Sequence, residues 1–161
     1  VAVLAHALGV IRRDIFHQPC DVNALATAAL YHDASEILTG DLPTPIKYHN
    51  AEIMSAYHAG EELAVQKLLG MLPPELRETY ADVLAEDKDG DIYPLVKAAD
   101  KLSAYIKCIE ERKAGNNEFL SAEAQTRAAL EASPLPEVQY FLEHFIPAFE
   151  RDLDELGAIG Q

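Results

Sequence analysis

The chain reads as an all-α protein, a single-domain bundle of six to seven helices over residues 1–161. Three observations predict that class. Apolar residues recur at three- and four-residue spacing in the long segments, which is the period of one helix face. No segment alternates apolar and polar residues for long, so the two-residue period of a strand is nearly absent. Breaks at Gly40, Pro73-Pro74, Gly115 and Pro134 to Pro136 then cut the pattern into helix-sized pieces.

The first helix, residues 1–13, is apolar almost all round (Val1, Val3, Leu4, Ala7, Leu8, Ile11), as suits a buried helix. It opens like the middle of a helix, so the chain is expected to continue upstream of Val1. Asp21 or Asn23 caps a second helix, which carries Leu25, Ala28, Ala29 and His32 on one face and stops at Thr39-Gly40. Asn50 caps a third, with Ile53, Met54, Tyr57, Ala64 and Leu68 as its stripe. Pro74 suits the first turn of a fourth, which runs to about Glu86.

After the acidic turn "EDKDGD", Pro94 opens a fifth helix that reaches Arg112 and presents Leu95, Ala98, Ala99, Leu102, Ile106 and Ile109 to the core. "KAGNNEF" is a loop, residues 119–132 form a sixth helix, and "SPLPE" precedes a seventh that extends to Leu156 with an interruption at Pro147. Tyr31, Tyr57 and Tyr105 fall on helices and read as packing groups. His17, His49, His58 and His144 have no ligand-like partners at useful spacing and read as surface or core residues, and His6 on the first helix reads as structural.

Charge and composition exclude several functions. The net charge of −14, from 27 acidic and 13 basic residues, repels a nucleic-acid polymer, whose binding needs clustered Lys and Arg. No apolar run approaches the roughly 20 residues a membrane span needs. Cys20 and Cys108 lie far apart without a CxxC motif and read as unpaired thiols of a cytoplasmic protein. "DKDGDIYPLVKA" imitates a calcium loop, but its Gly stands fourth rather than sixth and Ala98 replaces the terminal Glu, so it reads as a surface turn. GxSxG and Gly-rich phosphate loops are absent from the sequence.

The chemistry gathers in "LYHDASEILTGDLPTPIK". On a helix, His32 and Glu36 share a face, and Asp33 neighbours Glu36. An imidazole beside a carboxylate suits a divalent ion of borderline hardness. An acid one turn on can polarise the attacking water without being a ligand, which is what a metal-assisted hydrolase requires. His32 prolongs the apolar stripe of Leu25, Ala28 and Ala29, so this face is expected to point inward. Burying His32, Asp33 and Glu36 together without a cation would be costly. On the fifth helix Asp100 lies off the core face beside Val96, Ser103 and Ala104, and is expected to seek a partner; a surface pairing with Lys97, Lys101 or Lys107 is the competing reading.

"YHDASE", "GDLPTP", "KAADKLSAYIKC" and "AGNNEFL" together resemble the HD-domain phosphohydrolases, and more narrowly the bacterial 5'-deoxynucleotidases of the YfbR type, over nearly the whole chain. The resemblance implies an HD-type helical bundle and a homodimer. It implies hydrolysis of deoxyribonucleoside 5'-monophosphates with a divalent metal (Co or Mn, with Mg or Zn as alternatives). It implies His32, Asp33 and Asp100 as metal ligands, Glu36 as general base and Asp41 as a catalytic and substrate-site residue. The family's first ligand His, and an Arg and Trp that contact substrate, precede Val1. Lys47 is a candidate phosphate contact. Two other readings stay open: an HD phosphohydrolase acting on a nucleoside triphosphate or signalling nucleotide, and a non-catalytic HD module.

Overall fold

The computed structural model describes residues 1–42, 46, 49–85, 90–152 and 155; these are helices and connecting turns, with no strand among them. In chain order the helices are α1 (Ala2–Val10), α2 (Val22–Tyr31), α3 (Glu36–Thr39), α4 (Ala51–Met71), α5 (Pro74–Leu84), α6 (Tyr93–Lys113), α7 (Leu120–Glu131), α8 (Pro136–His144) and α9 (Ile146–Phe149). Their contacts group into two compact units, Val1–Ala26 with Asp91–Gln161, and Thr27–Gly90.

In the first unit α6 is the central element, with α1, α7 and α9 packed on it. Leu95, Ala99, Leu102 and Ile109 are fully buried and Ile106 nearly so, the stripe that the 3.6-residue period predicts; Ala98, on its margin, is half-buried. Each large side chain among them contributes about 1.5–3 kcal/mol by leaving water. Leu8 and Ile11, with Val138, Phe141 and Ile146 from α8 and α9, are buried in the same unit. Gly9 lets α1 approach the start of α2, since a Cβ there would lie 2.9 Å from the Leu25 Cδ2. The expectation that the first helix is buried all round is corrected: Val3 is 83% exposed, and only one side of α1 is covered.

The end of the first helix widens into a π-turn, Ile11–Ile15, closed by the Phe16 N–H donating to the Ile11 carbonyl. From it Arg12 donates through Nε to Glu137 Oε1 at 2.5 Å. The Glu137 side chain is wholly buried, and that of Arg12 is 14% exposed. Glu137 stands in the first turn of α8, where the helix dipole also favours a carboxylate. Arg112 forks between Glu123 and Glu150 at 3.0 and 2.8 Å, tying α6 to α7 and to the end of α9. Phe145 separates α8 from α9, and Pro147 stands in the first turn of α9, so the interruption expected at that proline falls just ahead of it.

In the second unit α4 packs on α3 and α5. Asn50 caps α4 as expected, its Oδ1 accepting from the Ile53 N–H at 2.8 Å. Of the expected stripe Ala64 is buried, while Met54 is exposed. Pro74 opens α5, and Tyr31 meets Tyr80 edge to face at 6.1 Å. Cys20 and Cys108 are free thiols, and burial pushes both above the usual thiol pKa. No described helix is long and apolar enough to cross a membrane.

Removing Arg12 strands a carboxylate that has no access to water. Arg12→Met should therefore destabilise the protein by about 3–5 kcal/mol in chemical denaturation, and Arg12→Met with Glu137→Leu should recover most of that loss.

Candidate active site

The stretch from Tyr31 to Asp41 is not one continuous helix. α2 closes at Tyr31, residues 32–35 form a turn, and α3 resumes at Glu36. The Ala34 N–H donates to the Tyr31 carbonyl at 2.9 Å and the Glu36 N–H to the Asp33 carbonyl at 3.0 Å, the shortened step of a 3₁₀ turn. The expected stop at Thr39-Gly40 is where the structure has it, but the expected helix through residues 32–35 is corrected. Asp33 and Ser35 are weak helix formers with side chains that compete for backbone bonds, so the break falls where propensity is lowest. The His-Asp pair thus stands on a corner between two helices.

At that corner His32 Nδ1 lies 2.9 Å from the Ala29 carbonyl oxygen. A carbonyl only accepts, so Nδ1 carries a proton and donates it. The other ring nitrogen, Nε2, is shielded from solvent and sits 2.9 Å from Asp33 Oδ2. A neutral ring would present a lone pair to that carboxylate, and two electron-rich atoms at this distance repel. A positive charge, from a proton or a metal ion, turns the contact into an attraction. An imidazole whose second nitrogen is fixed by a backbone carbonyl is also the usual form of a metal-ligating His. The donor chemistry of this corner therefore fits a divalent cation.

Exposure divides the cluster. The His32 side chain is 9% exposed and continues the buried face of Leu25 and Ala29, as expected, whereas that of Asp33 is 54% exposed. The expectation that the acids are buried with the imidazole is corrected: Asp33 keeps its solvation, and Glu36 is half-buried. Asp100, on α6 directly after the buried Ala99, is exposed; Val96 beside it is buried, Ser103 half-buried and Ala104 exposed, so its apolar surroundings are only partial.

Glu36 opens α3, and its Oε1 accepts a hydrogen bond from the Tyr57 hydroxyl of α4 at 3.3 Å. Tyr57, expected as a packing group, thus also reaches a carboxylate. The two residues are 21 positions apart, and no local pattern links them. The Thr39 hydroxyl donates to the Ser35 carbonyl at 3.3 Å and serves the end of the helix. Gly40 adopts φ 71°, a left-handed value suited to glycine, and turns the chain toward the exposed Asp41. Lys47 lies outside the described residues, as do residues 86–89 of the acidic turn and the expected helix end at Leu156.

A family model described as 5'-deoxynucleotidase YfbR-like matches residues 1–149. The chain is 50% identical over 158 residues to a 5'-deoxynucleotidase YfbR of Shigella flexneri serotype 5b (strain 8401), covering 98% of this chain and 79% of that protein. It is 49% identical over 158 residues to the protein of that name from Escherichia coli (strain K12 / DH10B), with the same coverage of 98% and 79%. The fold is similar to that of an HD-domain phosphohydrolase from Listeria innocua, with TM-score 0.78 and 26% identity, over 92% of this chain and 72% of that one.

Because Asp33 is solvated, Asp33→Asn should leave the melting temperature unchanged while weakening divalent-cation affinity by roughly a hundredfold, as read by calorimetric titration with Mn²⁺.

Proposed function

The chain belongs to the 5'-deoxynucleotidase YfbR-like family, and on that premise we propose that it hydrolyses deoxyribonucleoside 5'-monophosphates to deoxynucleoside and phosphate. The observation that carries the reading is the His32–Asp33 corner, where a fixed imidazole and a carboxylate meet at 2.9 Å. In this reading His32, Asp33 and Asp100 hold one divalent cation, Mn²⁺ or Co²⁺ before Mg²⁺ or Zn²⁺. Bound there, the cation would supply Lewis-acid charge to the phosphoryl group.

The chain's own residues do the remaining work. Glu36 accepts the proton of the attacking water as general base. Asp41, just past the Gly40 turn, contacts the deoxyribose or assists the leaving 5'-oxygen. Lys47 is the proposed contact to the phosphate. The net charge of −14 disfavours an anionic substrate at long range, so substrate affinity should depend on local cancellation of charge. The reading places the protein in the cytoplasm, in keeping with its free thiols, and treats it as a homodimer whose mass in solution can be measured directly.

Phosphate release from dAMP should disappear with chelator and return on adding Mn²⁺ or Co²⁺. Glu36→Gln should lower kcat by about 10²–10⁴-fold while retaining bound metal by elemental analysis.

A further inference from the structure

The general base of a hydrolase must hold its carboxylate in one orientation, because a freely rotating Glu samples productive geometry for only part of the time. Glu36 stands on a short helix. α3 is only four residues long, and Ser35 at its N-cap makes no side-chain capping bond. α4 supplies one restraint from outside that helix. Its first turn is fixed by the Asn50 cap, and about two turns on it presents Tyr57, whose hydroxyl donates to Glu36 Oε1 at 3.3 Å. Both side chains are half-buried, so water competes less for that bond than it would at an open surface.

We infer that Tyr57 is a positioning residue for this reaction, holding the Glu36 carboxylate plane by a hydrogen bond donated across from α4. The inference rests on the assignment of Glu36 as general base. In this contact the phenol donates and a carboxylate oxygen accepts. The contact therefore orients the base without consuming it. A phenylalanine fills nearly the same volume, so the ring's packing survives the loss of the hydroxyl and the two roles can be separated.

The test compares wild type, Tyr57→Phe and Glu36→Gln with dAMP as substrate at saturating Mn²⁺, measuring kcat, KM, bound Mn²⁺ and melting temperature. The inference predicts that Tyr57→Phe lowers kcat about tenfold, with KM within about twofold and with metal content and melting temperature unchanged. A kcat within about twofold of wild type overturns it, as does a loss matched by a fall in melting temperature or bound Mn²⁺. An inactive wild type, or full activity in Glu36→Gln, would instead remove the base assignment itself and this inference with it.

Discussion

The site depends on the placement of one imidazole. His32 gives its Nδ1 proton to the Ala29 carbonyl and so commits Nε2 to face Asp33, at 2.9 Å in both directions. That geometry is unfavourable for a neutral ring and favourable once positive charge is supplied. Ala29 is buried, and rotation of the ring away from the carboxylate would break the bond to its carbonyl. Folding thus prepares the corner for a cation before any ligand arrives.

The backbone leaves the α-helical register for residues 32–35, and α3 begins at Glu36. Across this turn the side chains of His32 and Asp33 reach one another, with Nε2 2.9 Å from Oδ2. Gly40 then ends α3 with a positive φ that an L side chain would resist, and Asp41 follows at the surface. A glutamate at the start of a short helix and an aspartate just past its end fall within one stretch of chain, which is economical for a reaction needing a base and a second acid.

Much of this was legible from the sequence, for physical reasons. The stripe Leu95, Ala99, Leu102, Ile106 and Ile109 obeys the helical period because it is packed, and packing is what periodicity records. Asn50, Pro74 and Pro147 mark their boundaries through local chemistry, and those boundaries appear in the structure. The 3₁₀ turn was not legible, because four residues in a tighter turn leave the apolar pattern almost unchanged. Exposure of Asp33 and Val3 was not legible either, since burial on one side of an element depends on what covers it. Tyr57 with Glu36 and Arg12 with Glu137 were hidden for a simpler reason: 21 and 125 residues separate the partners, and the fold alone joins them.

The most direct measurement is X-ray absorption at the cobalt edge on Co²⁺-loaded protein, comparing wild type with His32→Gln. The account predicts an imidazole-nitrogen shell at about 2.0–2.2 Å that loses one ligand in the variant. An unchanged nitrogen shell in His32→Gln would show that the cation binds elsewhere, and would contradict the role given to this corner.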